Sequence, residues 1–373
     1  MRHCFQGTVP WAALLSCVLA GAAAGQSLEQ APPPCAACPE PPDPAVSLCP
    51  APHTFFLLPP RSPWYVEADG LALRRDASGS DIELAALGTP DNVVLSTADL
   101  PADFRGGWRA MVGHTFGECF QVEGLFFSTV SGHEGASVRN LSTNDLGGTG
   151  NFFSPFTNFG QPAVAGLDYN NYVSGQFEAG LDNAEVNIRR KLPVPPGKLA
   201  VSVLFGVRYM DLPERFEYFS RSTTPLGTTS TNLVDVQTGN ALVGPQIGTM
   251  FEFYIENRWW VNVEGKAALC NNRTHQRTTY TVLSDVVGNL SVEGERQEDT
   301  TAFVGDLSLT FVYRWSEHFS TRLGYQAIWV EGLALATDNF TRETSILREG
   351  PPRLNDSGSV VYHGPHAGIT LSW

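Results

Sequence analysis

From Phe303 to Trp315 every second residue is apolar or glycine: Phe303, Gly305, Leu307, Leu309, Phe311, Tyr313 and Trp315. The residues between them include Asp306, Ser308, Thr310 and Arg314. A period of two sustained this long is a β-strand with one greasy face, and it excludes a helix. The pattern recurs in Leu199–Tyr209, Trp259–Leu269 and Phe319–Trp329, and less cleanly in Trp108–Phe116 and Phe120–Phe126. It returns at the end. Counting back in twos from Trp373 gives Leu371, Ile369, Ala367 and Pro365, against Ser372, Thr370, Gly368 and His366. An alternating last strand finished by an aromatic is the closing strand of an outer-membrane barrel.

A soluble sandwich also alternates, with its apolar face inward. Two features favour the barrel. The periodic runs are about 11 to 15 residues long, where globular strands average five or six. Aromatics also crowd their ends: Trp64-Tyr65, Trp108, Trp259-Trp260, Tyr313, Trp315, Phe319, Tyr325, Trp329 and Trp373. Amphipathic rings belong at the two membrane–water interfaces.

The joins set the topology. Gly117–Cys119, Pro193–Lys198, Glu256–Arg258 and Ser316–His318 are short, and between them lie long polar stretches at about 76–106, 131–172, 221–241, 277–299 and 333–358. Strict alternation of short and long joins is the asymmetry of a barrel with tight periplasmic turns and long outer loops. The reading is all-β: an up-and-down antiparallel transmembrane barrel over 63–373. It has about ten strands, starting near Trp64, Trp108, Phe120, Val173, Leu199, Val243, Trp259, Ala302, Phe319 and Val360. Twelve is the alternative, if 214–223 and 231–239 form an extra hairpin. Cys119 then sits in a periplasmic turn and Cys270 at the outer end of its strand, too far apart for a disulfide, so two free thiols are expected.

Residues 1–25 read as a signal peptide: Arg2 and His3, an apolar run from Trp11 to Ala20, then Ala22-Ala23-Ala24. Residues 26–62 hold Pro32-Pro33-Pro34, Pro41-Pro42 and Pro59-Pro60, and are expected to form a disordered periplasmic leader. Cys35, Cys38, Cys49 and His53 have the residue types of a zinc site, but without a folded scaffold a local disulfide is the simpler expectation. No later stretch offers the roughly 18 apolar residues of a membrane helix.

The formal charge is −14, and nothing basic is concentrated enough for nucleic acid. The predicted lumen carries Glu67, Asp69, Arg109, Glu123, Glu185, Arg189, Arg208, Glu252, Glu264, Lys266, Asp306, Arg314 and Arg322. Ten strands enclose a narrow space, so these charges are expected to pair across it, as a stiffening plug or as the lining of a narrow channel for small ions or solutes. A catalytic barrel needs a histidine clustered with a carboxylate at its outer rim. His133 and His275 fall near outer loops, with Asp145 and Asp285 in sequence reach, but no spacing marks a site. There is no H-E-x-x-H, no G-x-S-x-G and no phosphate loop. No catalytic residue, cofactor or metal is assigned. The long outer loops give an alternative to a pore, a barrel that binds surface polymer or a partner protein.

Several stretches carry a family resemblance: Gly244-Pro-Gln-Ile-Gly248, Arg258-Trp259-Trp260, Glu264–Leu269, Asn271-Asn272, Asn183–Arg189, Arg322–Gln326 and His363–Leu371. As a set they resemble the outer-membrane beta-barrel porin family expanded in planctomycetes, over roughly Trp64 to Trp373. Cys270 stands where that family leads one to expect glycine. The resemblance implies residence in the bacterial outer membrane and the label porin. It supplies no catalytic residues. The partners expected are outer-membrane lipid and, through Ala367, Ile369, Leu371 and Trp373, the barrel-assembly machinery. A soluble secreted β protein is the remaining alternative.

Overall fold

The computed structural model describes residues 63–373 apart from 78, 80, 89–91, 118, 141–150, 196, 224–226, 286–287 and 343–352. The expected signal peptide and Pro/Cys-rich leader lie outside the described residues, as does Asp145.

Fifteen strands follow one another in the described chain: β1 (Trp64–Ala77), β2 (Glu83–Leu87), β3 (Val93–Ser96), β4 (Arg105–Phe116), β5 (Phe120–Thr129), β6 (Gly132–Arg139), β7 (Phe152–Phe153), β8 (Tyr172–Ala179), β9 (Asp182–Lys191), β10 (Leu199–Thr223), β11 (Thr229–Glu256), β12 (Trp259–Ser284), β13 (Leu290–Arg314), β14 (Phe319–Leu333) and β15 (Gly358–Ser372). Ten of them close a ring: β1, β4, β5, β9, β10, β11, β12, β13, β14, β15 and back to β1, each pair antiparallel. The seam is exact to its end, with Trp64 and Trp373 exchanging backbone hydrogen bonds of 3.2 and 3.0 Å. No helix among the described residues is long and apolar enough to cross a membrane, which leaves crossing by strands untouched.

The alternating faces fall as the sequence period requires. Outward residues form an apolar band, with Leu269 62% exposed, Phe205 61% and Ile247 59%. On β10 the band runs from Leu199 to Tyr209; above it stand Asp211, Pro213, Arg215 and Glu217. These eleven residues at the usual strand tilt give a height of about 25 Å, the thickness such a band must cover.

Above the band the sequence reading needs correction. β11 begins at Thr229, not near Val243, and β13 at Leu290, not near Ala302. Most of 221–241 and 277–299, expected as loops, is strand. The segments 214–223 and 231–239 do pair with each other, but as continuations of β10 and β11, so no extra hairpin arises and the ring stays at ten. These extensions escaped notice because polar residues fall on both faces and blur the alternation. Ser230, Asn232, Thr238 and Asn240 point inward and are buried, while Thr231, Asp235 and Gln237 point outward. β6 and β8 add to the extended edge of β10, giving a raised sheet in the order β6-β8-β10-β11-β12-β13.

The cysteines also depart from expectation. Cys119 lies in the β4–β5 turn but is disulfide-bonded, and among the described residues Cys270 is the free, buried thiol. Since β12 runs on to Ser284, Cys270 sits mid-strand rather than at the strand's outer end.

Candidate functional site in the barrel lumen

Inward side chains divide the lumen into levels. Nearest the short-turn rim is an open cavity of about 270 Å³, whose walls include Tyr65, Met111, Met250, Trp260, Arg314 and His318. Glu252 accepts a 3.0 Å hydrogen bond from the Tyr254 hydroxyl there, and the Arg314 guanidinium lies 5.1 Å above the Trp260 ring.

The next level is ionic. Glu185 on β9 receives Arg208 from the neighbouring β10 and, across the lumen, Lys266 from β12, whose Nζ is 3.1 Å from both carboxylate oxygens. Asp306 on β13 accepts from Arg208 at 2.8 Å and lies 3.3 Å from Lys266. Two carboxylates and two cations are thus gathered at one buried point. Unpaired, any of them would carry a large desolvation penalty; together they neutralise one another. Gln246 and Asn187 donate to the free side of Glu185 at 2.9 and 3.1 Å.

A second group centres on Arg189, which grips Glu123 with two bonds of 2.8 and 3.0 Å and reaches Glu264 at 2.6 Å. The Tyr65 hydroxyl donates to the same Glu123 at 2.8 Å. In a third, Arg109 donates to Asp69 at 2.8 Å, and Arg322 pairs with Glu67 and Asp69. Gln326 joins the third group to the first, accepting from Arg109 at 2.9 Å and donating to Asp306 at 3.1 Å.

All thirteen charged side chains expected in the lumen face it: Glu67, Asp69, Arg109, Glu123, Glu185, Arg189, Arg208, Glu252, Glu264, Lys266, Asp306, Arg314 and Arg322. Eleven join the ionic level, while Glu252 and Arg314 stand in the cavity beneath. Tyr65, expected among the interfacial aromatics, instead points into the lumen, and Asn187, Gln246 and Gln326 were not singled out from sequence. They carry no charge to draw attention, and only the strand register marks them as inward.

Above the ions, apolar clusters fill the lumen among a few buried polar side chains such as Asn240 and Asn272. Phe127, Met210, Leu242, Ile328, Val330 and Leu335 form one buried cluster. A second continues it between the strand extensions. There Phe156, in a short 3-10 turn (Pro155–Thr157), packs edge-on against Tyr218 and Tyr280 at 5.5 and 5.4 Å and lies 5.8 Å from Phe340. Phe340 and Leu335 belong to the β14–β15 connection, whose residues 334–340 fold inward. Glu214 accepts from the Ala336 amide at 3.0 Å, and burial beside Glu214 raises the Asp338 carboxyl above its ordinary range. Among the described residues no three His, Cys, Asp or Glu side chains are placed to hold a metal. His133 lies 3.6 Å from Glu178 on the raised sheet, and Asp285 caps the Thr229 amide at 2.8 Å.

A family model described as "Putative beta barrel porin-7 (BBP7)" matches residues 72–355, well over half of the chain. The chain belongs to this family. The BBP7 assignment agrees with the closed ring and its apolar outer band, and it places the chain among outer-membrane β-barrel porins. No curated protein matches the sequence. Among solved structures, the outer membrane protease OmpT from Escherichia coli aligns with a TM-score of 0.43 at 10% identity, over 84% of this chain and 99% of that one. The toluene transporter TodX of Pseudomonas putida gives 0.22 at 10% identity, over 84% and 89%. A FadL homologue of Pseudomonas aeruginosa gives 0.24 at 8% identity, over 83% and 89%. Likenesses this distant say nothing about what a BBP7 chain cleaves, binds or carries.

Proposed function

We propose that this BBP7 barrel is a closed structural protein of the outer membrane, an anchor that holds a rigid sheet on the cell-surface side rather than an open pore. The observation that carries this reading is the pair of apolar clusters stacked across the lumen above the ionic level. Water and ions cross a pore along continuous polar walls, and side chains such as Phe127, Met210 and Leu242, at most 1% exposed, interrupt them. In this reading the short turns face the periplasm, the extensions of β10 to β13 face outward, and Ala367, Ile369, Leu371 and Trp373 are the signal read by the barrel-assembly machinery. The barrel has no catalytic role.

The test is conductance of the folded, detergent-purified protein in a planar bilayer. A closed barrel gives no discrete steps; regular steps in every insertion would overturn it. A second reading, a narrow channel for small ions or solutes that opens when the inward connection moves, draws on the cavity open at the short-turn rim. It requires rare openings whose ion selectivity shifts when Glu264 or Lys266 is neutralised.

A further inference from the structure

The raised sheet carries its outward side chains in rows across the strands. The highest row that spans β6, β8, β10, β11 and β12 is Arg139, Tyr172, Arg221, Thr231 and Leu283. The next holds Ser137, Ser174, Phe219, Leu233 and Thr281. Tyr172 meets Phe219 edge-on at 5.9 Å between ring centres, and the Arg221 guanidinium lies 5.6 Å from the Phe219 centroid. Two aromatic rings thus meet edge-on on the outward face, with an exposed arginine on each side of Tyr172.

Charge sets this row apart. Nearer the membrane the outward face neutralises itself: Arg215 pairs with Asp235 at 2.8 Å and Glu217 at 3.2 Å, and Arg277 with Glu293 at 2.8 Å. Among the described residues Arg139 and Arg221 have no carboxylate partner, in a chain whose net charge is −14. Two strand spacings hold their backbones roughly 10 Å apart. Guanidinium groups bind carboxylate, sulfate and phosphate in bidentate fashion, and an aromatic ring gives the C–H face of a sugar somewhere to lie.

We propose that this face docks an anionic polysaccharide of the cell surface, with Arg139 and Arg221 on successive acidic groups and Tyr172 and Phe219 under the intervening sugar. The proposal rests on the outward placement of the raised sheet given above. Lipid head groups are out of reach: Arg221 lies 12 residues beyond Tyr209 at the top of the apolar band, roughly 40 Å along the strand. A protein ligand would find no apolar pocket among these residues to anchor a hot-spot side chain.

The experiment uses the full chain in nanodiscs and measures binding of polygalacturonate, dextran sulfate and neutral dextran by biolayer interferometry. Both polyanions bind and dextran does not. The double substitution Arg139→Gln/Arg221→Gln weakens the polyanions roughly tenfold or more, and added salt weakens the wild type in the same way. Tyr172→Ala weakens polygalacturonate with both arginines still present. Arg277→Gln, on the same face but already paired, leaves affinity unchanged. Heat-modified gel mobility confirms that each variant is folded. Equal binding by the double variant, equal binding of dextran, or an effect of Arg277→Gln as large as that of the pair each overturns the proposal. So does full polygalacturonate affinity in Tyr172→Ala. Binding to phosphatidylglycerol vesicles in place of polymer would assign the face to lipid and also overturn it. Conductance recorded on the same preparation separates the two ideas: a conducting barrel that binds polymer sinks only the closed-barrel reading, and a silent one that does not bind sinks only this one.

Discussion

Asn240 and Asn272, on the inward faces of neighbouring strands, together hold the backbone of the connection that fills the lumen. Asn272 donates to Asn240 at 3.1 Å and to the Gly332 carbonyl at 2.8 Å. Asn240 donates to the Ala334 carbonyl at 2.9 Å and accepts from the Ala334 amide at 2.8 Å. One side chain thus does for Ala334 what a neighbouring strand would do. Asn240→Leu leaves both Ala334 groups buried and unpaired, at about 1–3 kcal/mol each. The expected result is a lower urea midpoint and brief conductance bursts in a bilayer. An unchanged midpoint with no bursts would mean the connection is held elsewhere.

Gly305 and Trp329 are direct cross-strand partners on β13 and β14, and the indole lies across the glycine. A Cβ at 305 would fall inside that ring. Gly305→Ala must therefore push Trp329 away from the strand. We expect a loss of about 1–3 kcal/mol, as for other overpacked sites, together with a shift in tryptophan emission. Gly265, which has open space at the same position, is the control: Gly265→Ala should leave the emission in place.

The parts of this fold readable from the sequence are those where lipid sets the rule. Phe205, Ile247 and Leu309 face hydrocarbon, so polar residues are excluded there and the period of two is clean. Above Tyr209 water replaces lipid, and the alternation between Thr231 and Asn232 has no hydropathy contrast to reveal it. The inward charges were legible for the same reason as the belt, since they occupy its opposite face. Their partners were not. Arg189 meets Glu123 and Glu264 only because the ring brings β9, β5 and β12 around one lumen, and Gln326 enters as a link that no charge pattern announces. The apolar plug was missed because Leu335 and Phe340 sit in a stretch that reads as an outer loop.

The two cysteines of the barrel differ in chemistry. With alkylation and peptide mapping, Cys270 should react once the protein is unfolded without reductant, and not before, because the thiol is buried. Cys119 should react only after reduction. Labelling of Cys119 in unreduced, unfolded protein would show that it is a free thiol.

The buried ionic level makes the sharpest demand on stability. Arg208 is fully buried and lies between Glu185 and Asp306. Arg208→Met removes one of two cations and leaves Lys266 alone with two carboxylates, which a desolvated site tolerates badly. The cost expected is about 3–5 kcal/mol, read as the urea midpoint in detergent. If the loss came from missing packing, a second substitution nearby would add to it. If it comes from the stranded charge, Glu185→Leu on top of Arg208→Met should give much of it back, because Lys266 and Asp306 then remain as a neutral pair at 3.3 Å. A double variant more stable than Arg208→Met assigns the level's role to mutual neutralisation. A double variant less stable by the sum of the two singles would show that the four charges act independently.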